Sequence, residues 1–455
     1  MNLKIHTARP TKGNVLIVCL CMAAIIGFAV ASCFAYVRSQ MVVAVRSQAW
    51  NESLILAEAG IEDGLMLINK NSGTTTPRTA WAGTANSDNW TAIAANVYHV
   101  QRSLNSNTYE VYITNNANGR PTIRAVGTKW QQGIGGTNAI RRAILVTTVP
   151  GSMFQGGLIA KDGISIGGNI VIDSFNSQNP NLSTNGMYHP SLRNDGGNVA
   201  TTISNVVAAV TVGGSVEIYG KIFTGPGEKI KVNGGGVSVG SESWVDGGGS
   251  GIESGWSQDD LNVFIPDAPP APTGGLPLPS KQINLMQGTN YSNSYLLTTG
   301  NYQANSSVSL TSTDKILVSG HVKMYFANSF SMAGQSQVII GADSSLTIYA
   351  GGSVSLNGGG VMNGSGFATN LTLYGLPTST SISYAGGSDF VGTIYAPQAA
   401  FTMTGGGNTI YNLVGSAVAK TIKLNGKYQV HYDESLSQIA AGAHYYVASW
   451  QEVPF

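Results

Sequence analysis

Charged side chains are scarce in this chain, and the cations that are present do not cluster. Asp, Glu, Lys and Arg together make up 10% of the 455 residues, whereas an ordinary soluble domain carries about 25%. The formal net charge is +1. Because nucleic-acid binding relies on patches of Lys and Arg that neutralise phosphates, the composition argues against a nucleic-acid partner.

Cysteine is almost absent as well. Cys19, Cys21 and Cys33 all lie in one apolar run near the N-terminus, and the remaining chain contains none. The large part after Cys33 therefore has neither a disulfide framework nor a cysteine-based zinc site. The sequence indicates no cofactor, and this part has to be stabilised by its own packing.

Residues 13–37 carry no charge at all. As a helix they would span about 37 Å, enough to cross a bilayer core of about 30 Å. Lys4, Arg9 and Lys12 precede the run, so the positive-inside rule predicts a cytoplasmic N-terminus, one inner-membrane span over 14–37 and an exported remainder. A cleaved signal peptide ending near Ala31 is the alternative.

Proline is missing from residues 14–69, where apolar side chains continue at helical spacing. This pattern predicts one helix of roughly 55 residues, with Glu52 and Asp63 on the face opposite an apolar stripe. A partner sheet is expected, because the exposed stripe would otherwise forfeit about 1–3 kcal/mol of burial per side chain. The stripe consists of Val43, Trp50, Leu54, Ala57, Ile61, Leu65 and Ile68.

Residues 12–64 resemble the N-terminal segment of PilX-like minor pilins. The likeness rests on Lys12-Gly13-Asn14, on the apolar run that follows, and on Ala57-Glu58-Ala59-Gly60. It implies a leader over 1–13, cleavage by prepilin peptidase between Gly13 and Asn14, and other pilins as partners of the helix. Major pilins carry a glutamate where this chain has Val18, so a tip or accessory position is favoured. The residues expected to mediate helix packing and assembly are Trp50, Leu54, Glu58, Ile61 and Leu65.

Residues 71–149 are predicted to form a small pilin-like α/β headpiece with an antiparallel sheet. Residues 71–90 are rich in Gly, Thr, Asn and Ser and are typical of a loop. Residues 115–121 suit a hairpin connection. The three predicted strands are Tyr109–Thr114, Thr122–Gly127 and Ile140–Thr148.

The C-terminal part contains a quasi-repeat. Residues 321–334 align with residues 345–358 at an offset of 24, and strand-like bursts recur every six to eight residues between Ile316 and Val361. Glycine and asparagine follow nearly every burst, where tight corners need left-handed backbone. The pattern predicts a right-handed parallel β-helix over 150–435, with three strands in each coil. A meandering β-sandwich is the alternative. Tyr325, Tyr349, Tyr374 and Tyr395 are predicted to stack as a ladder.

Two segments fall outside this pattern. Residues 266–280 are rich in proline, which cannot donate a ladder hydrogen bond, so they are predicted to form an excursion or a hinge. Residues 436–455 are assigned to a C-terminal tail. The repeat region also resembles the glycine-rich domain found behind PilX-like N-termini, with the likeness carried by Leu158-Ile159-Ala160, Asp173-Ser174-Phe175, residues 389–397 and residues 431–434.

Residues with catalytic potential are few. The six histidines share no motif, and the glycine runs at 234–236 and 247–249 lack the lysine and helix of a phosphate loop. Asp259-Asp260 with Glu253, and Asp433-Glu434 with His431, are the two clusters that a polysaccharide-cleaving enzyme could use. Adjacent carboxylates in a loop are more often simply solvated. Trp244, Trp256 and the tyrosines could present flat faces to a carbohydrate or a surface, although buried aromatic residues are more common.

The sequence therefore predicts a non-enzymatic structural or adhesive component of a type IV pilus, without a bound metal and with the β-helix displayed outward. A membrane-anchored polysaccharide-active enzyme and a type II secretion pseudopilin are the alternatives.

Overall fold

The computed structural model describes residues 14–70, 89–114, 120–133, 136–204, 208–261, 263, 265–405, 409–438 and 440–454. The predicted leader with Gly13, most of the loop predicted over 71–90 and the hairpin connection at 115–119 lie outside the described residues. The chain divides into two compact units. The first contains the N-terminal helix, the strands up to Val149 and the residues from Tyr445 onward, and the second contains Pro150–His444.

The described residues are mainly β-strand, and one long helix precedes the strands. The helices are α1 (Asn14–Lys70) and α2 (Glu242–Asp246), with short 3-10 turns at Pro190–Leu192, Ala368–Asn370 and Glu434–Gln438. The strands are β1 (Thr91–Ala94), β2 (Val97–Leu104), β3 (Asn107–Thr114), β4 (Thr122–Gly133), β5 (Gly136–Ser152), β6 (Leu158–Phe175), β7 (Val199–Thr201), β8 (Val210–Tyr219), β9 (Ile222–Phe223), β10 (Ile230–Asn233), β11 (Val237–Gly240), β12 (Gly251–Ile252), β13 (Ser257–Gln258), β14 (Leu276–Pro277), β15 (Gln282–Met286), β16 (Thr289–Ala304), β17 (Val308–Leu310), β18 (Lys315–Phe326), β19 (Phe330–Met332), β20 (Gln337–Ile340), β21 (Ser345–Ala350), β22 (Val354–Leu356), β23 (Val361–Asn363), β24 (Leu371–Gly375), β25 (Ser381–Tyr384), β26 (Phe390–Gly405), β27 (Tyr411–Asp433) and β28 (Ala440–Val453).

Helix α1 runs without a break over its 57 residues, in agreement with the single helix predicted from the missing proline. Every side chain from 15 to 48 is exposed. Within the described residues, α1 is the helix that is long and apolar enough to cross a membrane. Its C-terminal third is different, because Ala57, Ile61, Leu67 and Ile68 are buried against the sheet of the first unit.

That sheet has six strands in the order β1-β2-β3-β4-β5-β28. The pairings from β1 to β5 are antiparallel, and each strand lies beside its neighbour in sequence. β28 adds the sixth strand beside β5, where Arg142 pairs with Glu452 at 2.5 Å. The assignment of 436–455 to a tail was therefore wrong for residues 440–453. β1 and β2 were also not predicted.

The second unit is built on a predominantly parallel sheet of 22 strands. In β18 and β21, Val322 lies opposite Leu346 and Tyr325 opposite Tyr349, which is the register that the 24-residue offset predicts. β19 and β20 pair in the same way with β22 and β23. Alternate side chains of these strands point into one apolar core, as in the burial pattern of β21.

The order of the strands in this sheet departs from the order of the chain. β6 pairs in parallel with β8 on one side and with β27, the last strand of the sheet in sequence, on the other. Residues 158–258 therefore form one block and residues 276–433 a second, and the two blocks meet where β6 lies along β27. The sequence predicted one continuous succession from 150 to 435. A sequence repeat predicts how neighbouring strands pair, but it does not predict which repeat unit lies at the edge of the sheet.

A connector over residues 259–275 joins the two blocks and contains most of the proline-rich stretch. It lies on the sheet instead of leaving it: the Tyr395 hydroxyl donates to the Pro266 carbonyl at 2.7 Å, and the Gln398 amide donates to Asp267 at 2.7 Å. Ile265 and Ala268 are buried in the same contact. Pro277 is paired opposite Gln303 in a two-residue strand, so the expectation that the prolines stay out of the ladder was wrong there.

Candidate functional site

The residues predicted for helix packing lie in different environments. Ile61 is buried and Leu54 and Leu65 are partly buried against the sheet, whereas Glu58 is exposed. Trp50 is half exposed, and the Arg142 guanidinium lies 4.9 Å from the centre of its ring. Asn14, the predicted first residue after processing, begins α1.

The face of α1 that meets the sheet is rotated relative to the predicted stripe. A Cβ on Gly60 would lie 2.9 Å from the Ala125 Cβ, and one on Gly64 would lie 2.7 Å from a methyl group of Ile123. Small residues let the helix approach closely, and a count of apolar side chains overlooks them. The rotation also brings Asp63 to Arg102, at 2.5 Å, and Glu52 to Lys129. The prediction that both acids lie away from the sheet was wrong.

The four tyrosines of the predicted ladder occupy one register position in successive strands, as Tyr325, Tyr349, Tyr374 and Tyr395. The rings of Tyr349 and Tyr374 stack at 5.2 Å, and those of Tyr374 and Tyr395 meet edge to face at 6.4 Å. Burial raises the pKa of Tyr374 to about 12, with a further contribution from Tyr349. Because the connector covers Tyr395, the ladder is packing surface there and not an open aromatic platform.

The first predicted acidic cluster does not come together. Asp259 and Asp260 are exposed, whereas the Glu253 carboxylate accepts the Ser241 amide at 2.7 Å. The tryptophans near it are partly buried. Trp244 belongs to α2, and Trp256 lies beside Lys221, whose ammonium is 5.8 Å from the centre of the Trp256 ring.

The second predicted cluster is part of a buried polar site. His431 on β27 is 1% exposed, and its Nδ1 lies 2.5 Å from Oδ1 of Asp173 on β6, which is fully buried. Its Nε2 lies 3.2 Å from Oδ1 of Asn412. The Asn412 amide nitrogen donates to Asp389 at 3.1 Å, which fixes the carbonyl oxygen toward the imidazole. Both ring nitrogens therefore lie within hydrogen-bonding distance of a side-chain oxygen.

Tyr188 closes this site from the loop between β6 and β7. Its ring stacks on the His431 imidazole at 3.6 Å, and its hydroxyl donates to Oδ2 of Asp173 at 2.7 Å. Burial raises the pKa of the Tyr188 hydroxyl, and the neighbouring Asp173 carboxylate raises it further. Asp173 thus accepts from both sides, and no sequence pattern had pointed to Tyr188 as a member of this site.

The two acids after Tyr432 serve the neighbouring loops. Asp433 accepts the backbone amides of Ser177, at 3.0 Å, and Ser435, at 3.1 Å. Glu434 accepts the hydroxyl of Ser174 and the amide of Asn194, both at 2.7 Å. These bonds tie β27 to the chain that follows β6.

The chemistry that this arrangement favours is structural. The polar atoms of Asp173 and His431 are engaged by protein partners, and the pair joins the strand that begins the parallel sheet to the strand that ends it. A general acid or base needs an open side toward a substrate, and neither side chain has one. Among the residues that the structure describes, no group of three His, Cys, Asp or Glu side chains could hold a metal ion.

Comparisons with known proteins identify no function. Residues 279–439 match a family model described as a domain of unknown function (DUF7305). Among solved structures, the chain is similar to an ice binding protein from an Antarctic biological consortium. The two are 12% identical over 62% of this chain and 91% of that chain, with a TM-score of 0.29. Another is the competence-associated pilin ComZ from Thermus thermophilus, 11% identical over 89% of this chain and 98% of that chain, with a TM-score of 0.22. Both TM-scores are too low to establish a shared fold. No curated protein matches the chain.

Proposed function

We propose that this chain is a membrane-anchored, pilin-like subunit of a type IV pilus or a related filament, with a structural and adhesive role and no enzymatic activity. The observation that supports the proposal best is the difference between the N-terminal and the C-terminal part of α1. Its first half is apolar and exposed throughout, and its last third packs on an antiparallel sheet. The 34 residues at 15–48 are all exposed and mostly apolar, and water is an unfavourable environment for such a surface. A bilayer or a bundle of neighbouring helices would cover it.

Within that class, a PilX-like minor subunit is the proposal that suits the sequence best. Lys12-Gly13-Asn14 provides the processing signal. Val18 stands where major pilins carry a glutamate, which favours a tip or accessory position. The proposed location is one inner-membrane span with a cytoplasmic leader and an exported bulk, and the filament surface after assembly.

The second unit is proposed to be a right-handed β-solenoid that the filament displays. Support comes from parallel pairings that repeat at nearly constant offsets, with Ile316 opposite Val338, Phe330 opposite Val354, and Val338 opposite Val361. Three strand segments in succession pair with the next three, which is how coils stack in a solenoid. The proposed role is adhesion and not catalysis. Asp173 and His431 are buried and hydrogen-bonded to each other, and Asp259 and Asp260 are exposed to solvent.

N-terminal sequencing of the membrane-associated protein tests the anchor and its processing. The expected mature start is Asn14, and a Gly13→Val variant is expected to keep Met1. An intact Met1 in the unaltered protein, or a start near Ser32, would contradict pilin-type processing.

The adhesive role has a separate test. Deletion of residues 154–435 is expected to leave membrane insertion and processing intact while surface attachment of the cells is lost. Attachment equal to that of the full chain would contradict the adhesive role, and depolymerisation of a polysaccharide that depends on Asp259 and Asp260 would replace it with the enzymatic alternative.

A further inference from the structure

Strand β15 lies at an edge of the sheet of the second unit. Among the described residues it pairs with β16 alone, through a two-residue turn at Gln287-Gly288 that begins directly after Met286. Both turn residues have a positive φ, 50° and 78°, as such hairpins require. The pair next to the turn is hydrogen-bonded, and such pairs alternate along antiparallel strands, so Met286 and Asn284 direct their backbone groups to β16. The N–H and C=O groups of Ile283 and Leu285 therefore point to the open edge.

The side chains of β15 alternate in burial. Asn284 and Met286 are buried, and Met286 packs in a small apolar cluster with Leu317. Ile283 and Leu285 lie on the other face and are 73% and 65% exposed. The two residues whose backbone groups point to the open edge therefore also present apolar side chains to solvent.

Edge strands are commonly protected against pairing by a charge, a proline or a bulge. β15 has the sequence Gln-Ile-Asn-Leu-Met, without charge or proline, and the extra residue in its pairing with β16 lies on β16. Among the described residues, β10 and β13 also pair on one side only. However, β10 carries the exposed Lys231, and the exposed Asp259 and Asp260 follow β13 directly. These charges protect the edges of β10 and β13, whereas the sequence leaves β15 open to pairing.

The backbone and the side chains of this edge together favour a strand as the partner. A lipid surface would cover Ile283 and Leu285, but it would leave the backbone groups at the edge without hydrogen bonds. Lys281, the cation next to the strand, is paired with Asp314 at 2.8 Å, which favours an uncharged partner. An extended peptide supplies both the hydrogen bonds and an apolar face.

An identical strand fits this edge when the two strands run antiparallel and are centred on Asn284. Ile283 then lies opposite Leu285 of the second copy, and Leu285 lies opposite Ile283 of that copy. Apolar side chains meet on one face in this arrangement, which stabilises a strand pair. Because the strand is uncharged, no like charges are brought together. The contact is self-complementary, as a contact across a two-fold axis must be.

We propose that β15 is a contact site for a second copy of this chain, which pairs its own β15 antiparallel to the first. The proposal rests on the adhesive role proposed above and names a partner for that role, a subunit of the same kind on a neighbouring filament. A five-residue strand gives a small contact. Display of many copies on each filament strengthens such a contact through multivalency.

Self-association of the full chain in lipid nanodiscs, loaded with one chain per disc, tests the proposal. Sedimentation velocity over a concentration series is expected to show pairs of discs. Leu285→Lys is expected to lower the association constant tenfold or more, because a charge replaces an apolar contact. Leu276→Lys is the matched control, since Leu276 is 62% exposed and lies outside β15, and it is expected to leave association unchanged. Equal association constants for the two variants would overturn the proposal.

Leu285→Pro separates strand pairing from apolar contact alone. Proline keeps an apolar side chain but removes the N–H at the open edge, where the ladder with β16 loses no bond. It is expected to lower the association constant as much as Leu285→Lys does, with unchanged thermal unfolding. Association that responds to lysine but not to proline would overturn the pairing of strands.

Disulfide trapping tests the register and does not depend on the proline variant. The three native cysteines are first replaced by serine. An Ile283→Cys chain mixed with a Leu285→Cys chain is expected to cross-link, because hydrogen-bonded antiparallel pairs have Cα atoms about 5.5 Å apart, within the range of a disulfide. Either variant alone is expected to cross-link several-fold more slowly, since its like residues lie two positions out of register.

Equal cross-linking rates in the mixture and in the single variants would overturn the proposed pairing, as would unaltered chains that stay single at every concentration. Attachment of cells that still requires residues 154–435 would then show that the adhesive role survives without this partner.

Discussion

Asp173 and His431 face each other across two neighbouring parallel strands, although 258 residues separate them in the chain. Among the strands of the parallel sheet, β6 is the first in sequence and β27 the last, so this pair joins the first strand of that sheet to its last. The other strands of the sheet follow one another within a block. At this boundary the partner strand is remote in sequence, and a buried, hydrogen-bonded pair of polar side chains joins the two strands.

We expect Asp173→Ala to destabilise the second unit by about 2–5 kcal/mol, because His431 Nδ1 and the Tyr188 hydroxyl then remain buried without their hydrogen-bond partner. Denaturant unfolding followed by tyrosine and tryptophan fluorescence measures the change. Asp162 and Lys420 provide the matched control, since they form an ion pair at 3.9 Å between the same two strands but are half exposed. Asp162→Ala is expected to cost less than about 1 kcal/mol. Equal effects of the two substitutions would show that burial of the Asp173 pair is unimportant.

Glycines with positive φ form a second constraint on the same sheet. Gly405 and Gly426 are adjacent in the parallel register, and Gly426 has a φ of +137° with the site of its missing Cβ only 2.1 Å from the Gly405 carbonyl oxygen. Gly426→Ala is therefore expected to destabilise the unit by about 3 kcal/mol or more, since both backbone strain and a backbone clash arise.

Gly227 separates these two contributions. It also has a positive φ, +77°, but nothing lies within 4 Å of its Cβ position. Gly227→Ala is expected to cost about 1–2 kcal/mol from the backbone conformation alone. Thermal unfolding of both variants measures the difference. If Gly426→Ala were no more destabilising than Gly227→Ala, the close approach of the Gly405 carbonyl oxygen would not restrict the residue at position 426.

The local structure of the second unit could be predicted from the sequence because register depends on nearby residues. Alternation of apolar residues with Ser or Thr, and glycine at the corners, identified β18 to β23 to within a residue or two. The offset of 24 matched the pairing of Val322 with Leu346. The uninterrupted helix α1 followed from composition and the missing proline in the same way.

The remaining features depend on contacts between distant segments, which leave little trace in a single sequence. β28 joins the first sheet after some 290 intervening residues, and Tyr188 reaches Asp173 from a loop without repeats. Gly60 and Gly64 let the helix approach the sheet closely because they have no side chain, so a pattern of apolar side chains did not reveal them. The segments 173–175 and 431–434 were singled out by resemblance, but their mutual contact was not foreseen.

Alkaline titration tests the burial of the tyrosines. Burial raises the pKa of Tyr374 and of Tyr384 to about 12, from an ordinary value of 10. The unfolded chain therefore loses these protons first, so the stability they contribute is complete below pH 10 and is lost as the pH rises toward 12. Phenolate absorbance at 295 nm is expected to show a late phase near pH 12 that Tyr374→Phe reduces. Complete ionisation before pH 11 with the β circular dichroism signal intact would contradict the burial of both rings.

Helix packing in the first unit can be tested with one substitution made twice in the same helix. Alanine is the better helix former, so Gly→Ala in a helix is worth about 0.5–1 kcal/mol where there is room. Gly27 has nothing within 4 Å of its Cβ position, whereas a Cβ on Gly64 would lie 2.7 Å from a methyl group of the buried Ile123. Gly64→Ala is therefore expected to lower the free energy of unfolding of the first unit by about 1–3 kcal/mol, because Ile123 has to move within a filled core. Hydrogen–deuterium exchange of the β3 and β4 amides, measured in nanodiscs, should be faster in Gly64→Ala and unchanged in Gly27→Ala. Unchanged exchange in both variants would mean that α1 does not depend on close glycine contacts to hold the sheet.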